Sequence, residues 1–243
     1  MSVRWHTYQD PKSAAEACAH HITGILEEAL SGQDCASVAF SGGQTSRLLF
    51  QELAASGFRW NRVHLFWVDE RCVPPNDPQS NYGLAEHELI APARIPLHQV
   101  HRINGELLAE HAARRYAEDI REFFGLEEGE MPHFDVVHRG MGADAHTASL
   151  FPGDPLLDDR ERIAAATYAK KLSQWRVTLL PGPLMAAKHT VFLVTGPEKA
   201  QAVRDVFGEE YDPKRFPAQM ASHHARRVAW FLDEAAASLM DSV

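Results

Sequence analysis

The run Gly140-Met141-Gly142-Ala143-Asp144-Ala145-His146-Thr147 sets a carboxylate and an imidazole directly behind two glycines. Glycine lets a backbone come close to a ligand, and histidine is the natural general base near neutral pH. His146 is therefore a candidate base, the alternative being one more structural histidine among the 14 of the chain. A second glycine turn, Ser41-Gly42-Gly43-Gln44-Thr45, lies between a short apolar run and an apolar-periodic one. Free backbone N–H groups and the helix dipole make such a place a candidate phosphate cradle. It lacks the Lys of a nucleotide P-loop and the three-glycine spacing of a dinucleotide fingerprint. A third segment, Asp69-Glu70-Arg71, offers a guanidinium that can hold a phosphate or carboxylate while an acid orients a partner. The same residues could equally form a self-satisfied ion-pair cluster.

The elements that must position these residues can be read from periodicity. Residues 36–40, 63–68, 134–137, 175–179, 190–194 and 228–232 read as strands, and 12–31, 80–91, 106–124, 183–188 and 197–207 as helices, with a last helix from Asp233. Asp10-Pro11 and Ser13-x-x-Glu16 supply the N-cap, the first-turn proline and a capping box of the first helix. Strands separated by helices argue for an α/β fold: a doubly wound, mostly parallel sheet with helices on both faces. Ligands sit outside the carboxyl ends of strands in such sheets, and all three segments follow strands. With no repeat, low-complexity tract or long linker, residues 1–243 read as a single α/β domain.

Composition narrows the function. Lys and Arg number 24 against 33 Asp and Glu, a formal charge of 24 − 33 = −9, which argues against nucleic acid and anionic membranes as partners. No apolar run approaches a membrane span and the start lacks a secretory h-region, so a cytoplasmic protein is expected. Cys18, Cys35 and Cys72 read as reduced core thiols. The pairs His20-His21 and His223-His224, with His98 and His101, show no metal-ligand spacing, so no metal and no cofactor are expected. Lys170-Lys171, Arg114-Arg115 and Arg226-Arg227 read as solvated faces.

Taken in order, these segments resemble the 6-phosphogluconolactonase family. The carriers are Ser-Gly-Gly-x-Thr at 41–45, Val-Asp-Glu-Arg-x-Val-Pro at 68–74, Ser80-Asn81-Tyr82, Gly-Met-Gly-x-Asp-x-His-Thr-Ala-Ser-Leu-Phe-Pro-Gly at 140–153, Arg176-Val177-Thr178-Leu179, Gly196-x-x-Lys199-Ala200 and Ala229-Trp230-Phe231-Leu232-Asp233. The resemblance spans roughly residues 36–237. It implies a cytoplasmic, metal-independent hydrolase that opens 6-phospho-D-glucono-1,5-lactone to 6-phosphogluconate in the pentose phosphate pathway, acting as a monomer or weak homo-oligomer. Carried over by position, His146 would activate the attacking water, Asp69 would orient His146 or the sugar hydroxyls, and Arg71 would balance charge on the substrate or oxyanion. Ser41, Gly42, Gly43, Gln44, Thr45, Gly142, Asp144, Arg176 and Lys199 would bind the phosphorylated sugar.

The related amino-sugar phosphate isomerase-deaminases share the Gly-x-Gly-x-Asp-Gly-His pattern, but an Asn-Glu-Pro continuation is expected there in place of Thr147-Ala148-Ser149-Leu150-Phe151-Pro152. Three positions depart from the lactonase pattern: Ala145 stands where the family has Gly, His138-Arg139 where it has an apolar pair, and Ser46 where Pro is common. If position 145 needs φ > 0, its side chain costs on the order of 1 kcal/mol. That departure leaves open a sugar-phosphate-binding module without turnover. Arg139 is expected to reach the pocket and add to phosphate binding.

Overall fold

The computed structural model describes residues 4–224 and 227–240; Arg226, and the side chains of Lys171, His223 and His224, lie outside the described residues. The first half of the chain forms β1 (Arg4–Tyr8), α1 (Pro11–Gly32), β2 (Ala36–Phe40), α2 (Gln44–Ala55), β3 (Val63–Trp67), β4 (Asp69–Arg71), α3 (Asn81–Ala85), β5 (Val100–His101) and α4 (Ala109–Phe124). The second half forms β6 (Val136–Arg139), β7 (Ala164–Ala169), β8 (Gln174–Leu179), α5 (Pro181–Ala186), β9 (His189–Val194), α6 (Ala200–Gly208), α7 (Gln219–His224), β10 (Val228–Asp233) and α8 (Glu234–Ala237).

Local signals set the helix ends. Asp10 Oδ1 accepts the N–H groups of Lys12 and Ser13 at 2.9 Å each and Pro11 sits in the first turn, so α1 starts as its cap requires. Gly125 in the left-handed region (φ 61°) ends α4. The helix expected over 80–91 is α3 running into a π-helical turn at Glu86–Ile90, and that expected from 106 begins at Ala109.

Seven strands form a parallel sheet in the order β1-β10-β9-β6-β2-β3-β5. Along β9, Val191 and Leu193 enter one apolar core while Phe192 and Val194 enter another; on β10, Ala229 and Phe231 part from Trp230 and Leu232 in the same way. Successive strand side chains point to opposite faces, so at β9 and β10 the two cores lie on opposite sides of the sheet, whereas in β2, β3 and β6 neighbouring residues such as Val38 and Ala39 or Val136 and Val137 both belong to the first. The first core takes residues from α1, α2 and α4, the second takes Ala202, Val203 and Val206 from α6. This is the expected α/β arrangement.

The strand expected at 175–179 forms, but outside the parallel sheet. It is β8, the centre of an antiparallel sheet β4-β8-β7. Only Val68 separates β3 from β4, and its carbonyl accepts the Leu179 N–H at 2.8 Å, so the chain passes from one sheet to the other at that residue. Among the described residues no helix is long and apolar enough to cross a membrane.

Candidate active site

Strands β9, β6, β2 and β3 are neighbours in the sheet, so the segments leaving their carboxyl ends meet: Thr195–Lys199, Gly140–His146, Ser41–Thr45 and Asp69–Arg71. They line a cleft of about 340 Å³, within the size range of small-molecule sites. Every residue singled out as catalytic or binding lines it except Asp144, which stands behind His146.

The β2–α2 turn is shaped by what it must not carry. A Cβ on Gly42 would fall 1.9 Å from Asn81 Oδ1, and Gly43 has φ +103°. No side chain caps α2, so its first-turn N–H groups and positive dipole end remain available to an anion. Thr45 and Thr195 hydroxyls lie 3.2 Å apart, tying the start of α2 to the end of β9. Asn81 donates from Nδ2 to the Asp69 carbonyl at 2.8 Å and leaves Oδ1 buried without a hydrogen-bond partner among the described residues.

Antiparallel pairing builds the basic wall. Asp69 lies opposite Thr178 and Arg71 opposite Arg176, so two guanidiniums 105 positions apart in the chain share one face (176 − 71 = 105). Arg176 Nη1 is 3.8 Å from Asp69 Oδ2, which also accepts the Ser149 hydroxyl at 2.5 Å. Burial holds the Arg176 pKa below its ordinary value, and the Asp69 carboxylate works against that. Glu70 faces away: it accepts the N–H groups of Arg71, Asn81 and Tyr82 and the Ser80 hydroxyl, fixing the start of α3. Burial raises its pKa, and the hydrogen bonds oppose the rise. The cleft continues past Arg71 and Arg176 into a second hollow of about 440 Å³ reaching Gln79 and Gln174, whose side chains hydrogen-bond at 2.6 Å.

The third turn presents the imidazole. His146 Nδ1 is 2.5 Å from Asp144 Oδ1, and the ring packs on Phe151 at 4.6 Å. With Nδ1–H donated to Asp144, the basic lone pair is at Nε2. A Cβ on Gly142 would fall 2.1 Å from His146 Nδ1, so only glycine leaves room for the ring. The turn is closed by Gly142 N–H to the His146 carbonyl at 2.8 Å and Ala145 N–H to the Gly142 carbonyl at 3.0 Å. Ala145 has φ +60°, the left-handed conformation in which its side chain is strained.

Two expectations need correction. Of the two roles implied for Asp69, orienting His146 falls to Asp144, while Asp69 is engaged by Ser149 and Arg176 and lines the cleft. Arg139 does not reach the cleft: it is completely buried, and its side chain lies over the Phe192 ring in the second core. Sequence reasoning also passed over Ser149, Thr195 and Glu198. Thr195 and Glu198 line the cleft, and the strand-to-glycine junction Val194-Thr195-Gly196 was the available signal.

The family model of glucosamine-6-phosphate isomerases/6-phosphogluconolactonase matches residues 9–230. The chain is 38% identical over 213 residues to 6-phosphogluconolactonase of Homo sapiens, covering 84% of this chain and 80% of that one. It is 33% identical over 216 residues to the Synechocystis sp. 6-phosphogluconolactonase, covering 88% and 89%. The solved structure of 6-phosphogluconolactonase from Trypanosoma brucei superposes with a TM-score of 0.88 at 25% identity, covering 98% of each chain. A chain matched over this length by the family model, and at this identity by such relatives, belongs to the glucosamine-6-phosphate isomerase/6-phosphogluconolactonase family.

Proposed function

We propose that the cleft hydrolyses 6-phospho-D-glucono-1,5-lactone to 6-phosphogluconate, a step of the pentose phosphate pathway, with His146 as the base. The observation that carries this reading is the His146–Asp144 pair at 2.5 Å, set in one cleft with the Arg71–Arg176 wall. A base and a cationic subsite are what hydrolysis of a phosphorylated ester requires.

His146 Nε2 takes a proton from a water as its oxygen attacks the lactone carbonyl carbon. Asp144 holds the imidazole in the needed tautomer and stabilises the imidazolium. Arg71 balances the charge of the substrate or of the oxyanion. Collapse breaks the bond to the ring oxygen, and the imidazolium returns the proton to that oxygen, leaving a carboxylic acid that ionises. Asp69, fixed by Ser149, is placed to accept sugar hydroxyls. The Ser41–Thr45 turn, Arg176 and Lys199 hold the phosphate and sugar, a local basic site in a chain of net charge −9. The reading carries with it a cytoplasmic enzyme, monomeric or weakly associated, that needs no cofactor.

The test is the decay of the lactone, generated in situ and followed against its spontaneous hydrolysis, with native protein, His146→Ala and Ala145→Gly. Fast decay abolished in His146→Ala supports the proposal. Background decay with native protein and with Ala145→Gly would replace it by a binding module without turnover.

A further inference from the structure

Arg139 ends β6 one residue before the turn that carries His146, and none of it reaches solvent. Strand parity sends it inward: it is registered with Phe192 of β9, its guanidinium carbon sits 5.3 Å from that ring's centre, and the ring stacks on Trp230 at 3.7 Å. Nη1 and Nη2 have no hydrogen-bond partner among the described residues. The Nε–H donates to Thr147 Oγ1 at 3.1 Å, and the Thr147 hydroxyl donates to the Gly140 carbonyl at 3.0 Å. Two bonds thus run from the residue before the turn, through the residue after His146, to the turn's first carbonyl.

A buried guanidinium with most of its donors unused is destabilising, and burial pushes the Arg139 pKa down to about 9. The turn is itself strained, because Ala145 (φ 60°) and Ala148 (φ 54°) flank His146-Thr147. Such conformations persist when surrounding contacts over-determine them. We propose that Arg139 is a positioning residue which, through Thr147, clamps this turn and so sets the angle at which His146 faces the cleft. The inference rests on the reading of His146 as the base.

The experiment compares Arg139→Met with Arg139→Gln. A Gln places Nε2 the same number of bonds from Cα as the Arg Nε, so it keeps the donor to Thr147 without the charge, whereas Met fills similar space with no donor. Arg139→Met is expected to lower kcat about tenfold with KM within about twofold of native, and Arg139→Gln to keep kcat within about threefold. Both melt no lower than the native protein, which separates the kcat loss from unfolding. Thr147→Val reproduces the Met loss and adds nothing to it in the double variant. Native kcat in Arg139→Met, equal losses in Met and Gln, or a loss confined to KM would overturn the clamp. His146→Ala, assayed alongside, separates the two readings. If it still hydrolyses the lactone, the base falls and the clamp with it; if it is inactive while Arg139→Met is fully active, the clamp alone falls.

Discussion

Asp144 and His146 meet at 2.5 Å across Ala145, a residue held at a φ of +60°. The side chains can pair at this spacing because the backbone between them folds back in the left-handed region, where glycine is unstrained and alanine is not. The pattern this segment resembles has glycine there; here alanine occupies the left-handed position. Ala145 is almost fully buried in the second core and its carbonyl accepts the Ala218 N–H at 3.0 Å, so packing and hydrogen bonding hold what local preference resists.

In Ala145→Gly the relief of about 1–2 kcal/mol of left-handed strain is offset by the added entropy of the unfolded chain and by the loss of a buried methyl, so stability should stay close to native. At this chain length the melting temperature should stay within about 2 °C of native, with turnover at least native. Thermal melts and steady-state kinetics check it, and a fall of about 4 °C or more, the cost of entropy and methyl with no strain to offset them, would sink the strain argument.

Asp144→Asn removes the charge that stabilises the imidazolium and offers the wrong partner for the Nδ1–H tautomer. A loss in kcat of roughly 100-fold or more is expected, with KM little changed. Retention of native kcat would show that His146 does not depend on this acid.

Replacing Arg176 by Met takes one of the two paired guanidiniums from the cleft and leaves the buried Asp69 carboxylate with the Ser149 hydroxyl and, at 3.5 Å, the Asn81 amide. KM for the lactone should rise about tenfold or more, and the melting temperature should fall because Asp69 loses its cation. A variant with native KM would remove Arg176 from the substrate site.

His138 is buried with neither ring nitrogen hydrogen-bonded among the described residues, and burial pushes its pKa down from 6.5 to about 3. The unfolded chain binds this proton below about pH 6.5 while the folded one refuses it until about pH 3, so stability falls as pH falls through that window. Between about pH 7 and about pH 5 the loss from this residue is about 2 kcal/mol. His138→Leu should flatten the acid side of the stability curve by that amount in urea titrations at the two pH values. An unchanged slope would mean that His138 is protonated or solvated in the folded protein.

The glycine turns were legible because each needs a residue type that little else in a strand-to-helix junction requires: Gly42 beneath Asn81, Gly142 beneath the His146 ring. The long apolar strands β2, β3 and β9 announced themselves in the same way. Four strands did not, the shortest being β5, only Val100–His101. β7 reads Ala-Ala-Ala-Thr-Tyr-Ala, too small and even for a period, while β4 spans only Asp69–Arg71 and all three of its residues are charged. β1 is a single short run at the end of the chain, bounded on one side only, by the Asp10-Pro11 helix start. Without β4, nothing indicated that β8 leaves the parallel sheet, and so nothing paired Arg71 with Arg176. The Arg139 error has a different origin: a charge at a strand end was assumed to face the ligand, whereas the alternation along β6 points it to the face where Phe192 lies. For Asp69 the resemblance implied either His146 or the sugar hydroxyls as partner, and position alone could not show that Asp144, two residues from His146 in a tight turn, takes the first of these roles.

The β4–β8 pairing limits how this chain can change length. Insertions at the β7–β8 connection, residues 170–173, leave the Arg71–Arg176 register intact, so the rim of the cleft there is free to lengthen. A one-residue slip of β8 against β4 would instead exchange the faces of Trp175 and Arg176, burying an indole that is now 48% exposed and turning a cation that lines the cleft out to solvent. Length variation on this side of the site is therefore confined to the hairpin tip.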